Sequence, residues 1–326
     1  MVARVRNAVA VGALALALPA AAFDLQGHRG ARGLAPENTM AAFERALAIG
    51  VTTLETDLAV TGDNVLVLSH DPFLNASLTR APSGAWLTSR GPTIRSLSLA
   101  QLQRYDVGRV NPASDYAKQF PDQKPADGQR VPTLAELFAL GAGNDVHFNI
   151  ETKITPNSGA ETPEPGAFAQ MAVDAVRASG LAPRTTIQSF DWRTLVEVNR
   201  LAPEIATSCL TIESSGMDTV ARASGKPSPW HAGLALGDHG GSVPRLVKAA
   251  GCANWSSFWR NLTPALVAEA HELGLTVFAW TVNDPADMAQ LIDWRVDGII
   301  TDYPDRLRTV MQKKKLPLPR PLPPGR

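Results

Sequence analysis

Short apolar runs alternate with helical patterns along most of the chain. Strand side chains alternate between two faces, while helical apolar positions return every three or four residues. Residues 23–26 read as a brief first strand. "ENTMAAFERALAIG" reads as a helix, with Asn38 as its cap, Met40, Phe43 and Leu47 at helical spacing, and Gly50 as its stop. Thr52 to Ala59 is a second strand, Thr61-Gly62-Asp63-Asn64 a turn, and Val65 to Ser69 a returning strand. Farther on, "TLAELFALG" is a helix, "DVHFNIETK" a strand and Gly166 to Ser179 a helix. The strand "TTIQSF" is followed by the helix "DWRTLVEVNRLAP". "IATSCL", "CANWSSF", "LTVFAWTV" and "VDGIITD" complete the strands, with the helices "TPALVAEAHELG" and "DPADMAQLID" among the segments between them.

Strict strand–helix alternation implies a parallel sheet. About eight main strands in a chain of 326 residues favour a closed (β/α)8 barrel of the α/β class over an open doubly wound sheet. No GxGxxG follows the first strand, so a dinucleotide fold loses its strongest signal. The rhythm breaks between residues 72 and 131, where six prolines stand among polar residues and predict a long excursion with little regular structure. Long loops in compact domains are usually lids or binding insertions, and this one begins just after His70.

The two ends differ from the body. Arg4 and Arg6, the apolar stretch Ala8 to Leu18, and Pro19 before Ala20-Ala21-Ala22 have the form of a secretory signal over residues 1–22. The apolar stretch is shorter than the ~20 residues a membrane span needs, so no stable membrane insertion is expected. Residues 23–312 then form the barrel domain. Residues 313–326, with three lysines and five prolines, read as a basic, disordered or polyproline tail. Lys+Arg and Asp+Glu both number 31, and no basic patch interleaves with aromatics, which argues against a nucleic-acid partner. Two cysteines, Cys209 and Cys252, leave a disulfide open, since spacing alone does not bring them together.

Within this frame one stretch poses a problem, "LETDLAVTGDNVLVLSHD". Glu55 and Asp57 fall on the same face of a strand, where two half-buried carboxylates repel each other and lose hydration. In such barrels the active site lies at the carboxyl ends of the strands. Those ends carry His28 and Arg29, then Glu55 and Asp57, His70 and Asp71, Glu151 and Lys153, Gln188 and Ser189, Ser256, Trp280 and Asp302. Three converging carboxylates, Glu55, Asp57 and Glu151, suit a hard divalent cation such as Ca²⁺ or Mg²⁺. His147 is expected as a satisfied core residue deeper on the Glu151 face, and His231, His239 and His271 as structural.

The motif "GHRGARGLAPENTMAAFERALAIGVTTLETDLAVTGDNVLVLSHD", followed in order by "HFNIETK", "IQSFD", "FAWTVND" and "DGIITDYPD", resembles the glycerophosphodiester phosphodiesterase family in its secreted bacterial form. The likeness runs from about Leu25 to Leu307. It implies a (β/α)8 barrel with an insertion after the second histidine. It implies His28 and His70 as an acid–base pair, Glu55, Asp57 and Glu151 as ligands of one divalent metal ion, Arg29 on the phosphate, and Lys153 beside metal and phosphate. The substrate would be a small glycerophosphodiester, split into glycerol 3-phosphate and an alcohol outside the inner membrane, in the periplasm.

Other residues carry two readings each. Glu37 either hydrogen-bonds Arg29 or His28, or serves the dipole of its helix. Gln188 and Ser189 line the pocket or satisfy backbone groups. Trp280 walls the glycerol carbons or belongs to the core. Asp302 caps or salt-bridges near the site. Two other functions stay open on the sequence: a related barrel acting on lysophospholipids, and a binding protein without catalysis. The oligomeric state is not readable.

Overall fold

The computed structural model describes residues 22–322, so the signal expected over residues 1–22 lies, apart from Ala22, outside the described residues. Nine strands are described: β1 (Asp24–Gly27), β2 (Thr53–Val60), β3 (Leu66–Leu68), β4 (His147–Thr152), β5 (Thr185–Ser189), β6 (Ala206–Thr211), β7 (Asn254–Phe258), β8 (Thr276–Trp280) and β9 (Gly298–Thr301). Eight of them pair in parallel in the order β1-β9-β8-β7-β6-β5-β4-β2, and β1 also pairs with β2, which closes the barrel. The ninth, β3, runs antiparallel to the upper half of β2, with Leu58 opposite Leu68 and Val60 opposite Leu66.

The helices, in chain order, are α1 (Met40–Ile49), α2 (Leu99–Leu102), α3 (Asp115–Gln119), α4 (Leu134–Leu140), α5 (Pro165–Ser179), α6 (Trp192–Leu201), α7 (Val243–Ala249), α8 (Pro264–Glu272), α9 (Pro285–Asp293) and α10 (Pro304–Lys313). Their apolar faces cover the outside of the barrel, where Leu54, Ile150, Ile187, Val277 and Ile299 are fully buried. None of the described helices is long and apolar enough to cross a membrane.

The barrel interior is polar below the site. Asn149 donates to Gln26 Oε1 at 2.9 Å and to Gln188 Oε1 at 3.0 Å, and Gln188 donates onward to Glu55 Oε1 at 2.9 Å. This chain of amides satisfies groups that would otherwise be buried without partners, and it holds Glu55 in place.

The excursion over residues 72–131 carries the short helices α2 and α3 and one 3-10 turn at Ile94–Ser96. It nevertheless has a core of its own, in which Leu74, Ile94, Leu102 and Val131 pack on Ala59 and Val67.

Four expectations need correction or completion. The cap of α1 is Thr39, whose hydroxyl accepts from Ala42 N at 3.2 Å. Asn38 is unavailable, because its amide donates to Asp57 Oδ2 at 2.9 Å and accepts from Thr56 at 2.8 Å. His147 is exposed at the foot of β4, since the inward face of a strand opens to solvent where the barrel ends. Cys209 and Cys252 form a disulfide, with Cα atoms 5.9 Å apart. The tail is not disordered as far as it is described. Leu316 and Leu322 pack on the core, Leu322 N donates to Leu47 O at 2.8 Å, and Arg308 Nη1 donates to Pro319 O at 2.6 Å. Apolar residues between the prolines give the segment enough surface to dock. His231 is structural as expected, buried and stacked on Trp192 with ring centroids 4.1 Å apart.

Candidate active site

Strand register assembles the site. Asp57 on β2 lies opposite Glu151 on β4, and Glu151 lies opposite Gln188 on β5. The carboxylates of Glu55, Asp57 and Glu151 each offer an oxygen within 4.8 Å of the others, and all three are buried. Beside them a cavity of about 150 Å³ opens at the carboxyl ends of the strands. His28, Arg29, His70, Glu55, Glu151 and Lys153 form its charged side; Phe190, Leu210, Trp280 and Ile300 form its apolar side.

Each charged group is held from several directions. Arg29 donates from its backbone N to Glu55 Oε2 at 2.8 Å and from Nη1 to Glu37 Oε1 at 2.7 Å, while its Nε lies 3.1 Å from Asp57 Oδ2. Lys153 Nζ donates to Glu151 Oε1 at 2.8 Å and lies 3.8 Å from Asp57 Oδ1. His28 Nδ1 is 2.6 Å from Asp302 Oδ1. His70 Nδ1 is 2.9 Å from Asp71 Oδ1, and Asn75 braces that carboxylate at 2.7 Å.

Electrostatics follow from crowding charge into a buried space. Burial, then the charge of Asp57, push the Glu55 carboxyl well above its ordinary range. Burial raises Glu151 to about 7, with Lys153 opposing and Asp57 assisting. For Asp57, burial is outweighed by Arg29, His70 and Lys153, which hold it far below the usual carboxylate range. Burial lowers His28 to about 4, aided by Arg32 and opposed by Asp302. Burial lowers His70 to about 3, aided by Arg29 and Lys153; a third of that side chain still reaches solvent, which softens the effect.

These residues fit a divalent cation. Oδ1 of Asp57 is buried with no hydrogen-bond partner, and the donor set is all oxygen. A small doubly charged ion among the three carboxylates would relieve both the orphaned oxygen and the mutual repulsion.

His28, Arg29, Glu55, His70, Glu151, Lys153, Gln188 and Trp280 line the cavity, and Glu37, Asp57 and Asp302 contact those residues. Glu37 contacts Arg29 rather than His28. Gln188 both lines the cavity and anchors Glu55. Trp280 stands on the apolar wall, its indole N–H donating to Ser256 O at 3.0 Å and its ring 5.3 Å from that of Phe190. Ser189 turns to the backbone, donating to Thr152 O at 3.1 Å.

Sequence reasoning missed Arg32, Asn38, Tyr116, Phe190 and Asn283. Arg32 and Asn38 lie inside the glycine-rich motif and were within reach; Tyr116, from the irregular insertion, carried no signal.

A closed barrel with two histidines and a carboxylate triad at its mouth defines a class of metal-assisted hydrolytic sites. The profile of the glycerophosphoryl diester phosphodiesterase family matches residues 28–306, and the chain belongs to that family. It is 29% identical to a glycerophosphodiester phosphodiesterase of Caldanaerobacter subterraneus, over 88% of this chain and 96% of that protein. A crystal structure from Silicibacter pomeroyi, assigned to the same activity, is 35% identical with a TM-score of 0.80, covering 91% of this chain and 95% of the other. An Oleispira antarctica phosphodiesterase solved with the product sn-glycerol-3-phosphate shares the fold at 22% identity and a TM-score of 0.63, over 88% of this chain and 96% of the other.

Proposed function

We propose that this protein hydrolyses glycerophosphodiesters to glycerol 3-phosphate and an alcohol, with a divalent cation on Glu55, Asp57 and Glu151. The observation that carries this reading is the buried carboxylate triad, with its orphaned Asp57 oxygen, beside the cavity that two histidines, Arg29 and Lys153 line.

A phosphodiester is anionic and its alcohol departs as a poor alkoxide leaving group, so cleavage needs charge stabilisation and proton transfer. When bound, the cation supplies Lewis-acid polarisation of the phosphoryl oxygens. Arg29 presents a guanidinium already oriented by Glu37 and Asp57, so little side-chain freedom is lost when it meets phosphate. Lys153 adds a point charge from the Glu151 side.

Burial favours the unprotonated form of both imidazoles in the absence of metal and substrate, so each presents a free ring nitrogen to the reaction. The incoming phosphate offsets the repulsion from the neighbouring cations. One ring takes the proton of the attacking hydroxyl, of water or of the substrate's own glycerol, as the new P–O bond forms. The other ring, protonated, gives its proton to the alcohol oxygen as the old P–O bond breaks. The apolar wall of Phe190 and Trp280 receives the uncharged carbons of the substrate.

We further propose Mg²⁺ or Ca²⁺ as the ion, on the all-oxygen ligand set, and export from the cytoplasm to the periplasm. Export is supported by the N-terminal pattern and by the Cys209–Cys252 disulfide, which suits an oxidising compartment.

The test is release of glycerol 3-phosphate from glycerophosphocholine, with and without chelator, for the wild type, His28→Ala and Glu55→Ala. Activity abolished by chelator and by either substitution, and restored by one added ion, supports the reading and identifies the ion. A folded, metal-loaded wild type that releases nothing from any glycerophosphodiester overturns it.

A further inference from the structure

We propose that Tyr116, carried by the insertion, is a positioning residue that closes a hydrogen-bonded chain running Arg29–Glu37–Tyr116–Arg32–Asp302–His28. The chain ties the phosphate-facing guanidinium to the acid–base imidazole. The proposal rests on the phosphodiesterase reading above and adds a role for a segment outside the barrel.

The links run between buried or half-buried groups, and all but the 3.4 Å bond from Arg32 to the hydroxyl are 3.1 Å or shorter. Arg29 Nη1 donates to Glu37 Oε1 at 2.7 Å. The Tyr116 hydroxyl donates to Glu37 Oε2 and accepts from Arg32 Nη1 at 3.4 Å. Arg32 donates from Nε to Asp302 Oδ1 at 2.9 Å and from Nη2 to Oδ2 at 3.1 Å. Asp302 Oδ1 then meets His28 Nδ1 at 2.6 Å. Arg32 Nη1 lies 3.9 Å from Glu37 Oε2, too far for a direct hydrogen bond, and the Tyr116 hydroxyl bridges the gap by bonding to both.

The chain has a direction. A hydroxyl has one proton to give, and here it goes to the carboxylate while the guanidinium donates to the oxygen. Asp302 also accepts from Asn283 Nδ2 at 2.7 Å. A carboxylate receiving both Arg32 donors and this amide stays ionised, so His28 donates from Nδ1 and leaves Nε2 as the nitrogen that exchanges a proton with the site. That nitrogen lies 3.9 Å from Glu55 Oε2, on the site side of the ring. Orienting an imidazole through a buried carboxylate is a general means of fixing its tautomer.

The insertion is anchored here independently of the hydroxyl. Gln123 donates to Arg32 O at 2.7 Å, Lys124 N donates to Leu34 O at 2.9 Å, and Phe120 packs 4.8 Å below the Arg32 guanidinium. Tyr116→Phe therefore removes one atom from a segment that keeps its other supports.

The experiment compares Tyr116→Phe, Asp302→Asn and the double variant in the metal-loaded, full-length protein. It measures kcat and KM on glycerophosphocholine, together with the proton resonance of the His28 Nδ1–H. Tyr116→Phe should lower kcat about tenfold with KM little changed, the scale of losing an outer hydrogen-bond partner. Asp302→Asn should lower kcat by about 10²-fold or more. The double variant should be no slower than Asp302→Asn alone, because both break one chain. The imidazole resonance should move in Tyr116→Phe and vanish in Asp302→Asn.

A wild-type kcat and an unmoved resonance in Tyr116→Phe overturn the proposal, as do effects that multiply. If Tyr116→Phe does not fold, Glu37→Gln breaks the same chain and must move the same resonance. If the wild type has no phosphodiesterase activity, that reading fails on its own, and the resonance still decides whether Tyr116 reaches His28.

Discussion

His28 and Asp302 touch through a 2.6 Å contact although 274 residues separate them. Gly27 on β1 lies opposite Thr301 on β9, so His28 and Asp302 are the next residues along two paired parallel strands. Closing the barrel between its first and last strands therefore builds the pair. The same logic places Asp57 opposite Glu151, so the metal-binding group and the oriented histidine both follow from register.

The guanidinium fork of Arg29 is predicted to matter beyond its charge. Its Nη1 reaches Glu37 at 2.7 Å while its Nε reaches Asp57 at 3.1 Å, a span that a single ammonium does not cover. Arg29→Lys should lower kcat/KM by roughly 10²-fold, the scale of losing an oriented donor to a phosphoryl oxygen. Steady-state release of glycerol 3-phosphate measures it, and a loss below tenfold would remove Arg29 from this role.

The share of metal-free stability that Glu151 controls should fall as pH rises. Glu151 is raised from 4.5 to about 7 in the folded state, so the fold favours its protonated form. Between those values the native state holds more protons than the unfolded chain, and stability falls with increasing pH. Because the lowered His28 and His70 act in the opposite sense on the wild-type melt itself, the slope is read as the difference in melting between the wild type and Glu151→Gln in chelator across pH 4 to 8. At pH 8, Glu151→Gln should melt higher than the wild type in chelator, yet gain less from added Mg²⁺ or Ca²⁺. A Glu151→Gln protein that melts lower without metal would contradict the repulsion argument.

The disulfide is predicted to support the fold and not the reaction. Cys209 and Cys252 are both buried, and they close a loop spanning 43 residues at the outer face of β6. Replacing both by alanine should cost about 2–4 kcal/mol, the range for bridges over loops of this kind. Denaturant unfolding measures the loss, and kcat should stay within about twofold because the pair lies outside the cavity.

Removing residues 315–326 should also destabilise without slowing catalysis. The segment packs Leu316 and Leu322 against the barrel and bonds Leu47 and Arg308, on the side opposite the site. Two partly buried leucines suggest a loss of about 1–2 kcal/mol. A truncated protein with an unchanged melting temperature would show that this docking contributes nothing.

The period of the apolar residues determined the barrel, because a strand–helix alternation repeated through the chain can bury its faces in few other ways. Spacing also determined that Glu55 and Asp57 share a face, and motif order marked His28, His70, Glu151 and Lys153. Local contest decided what the sequence left ambiguous: Thr39 and not Asn38 caps α1, because Asn38 is claimed by Asp57. Exposure at the barrel foot decided His147, and the apolar residues between prolines decided the tail. The joining of Cys209 to Cys252, the meeting of His28 with Asp302, and the reach of Tyr116 into the site came only from tertiary structure. These contacts depend on barrel closure and on where an irregular insertion docks, and neither leaves a periodic trace along the chain.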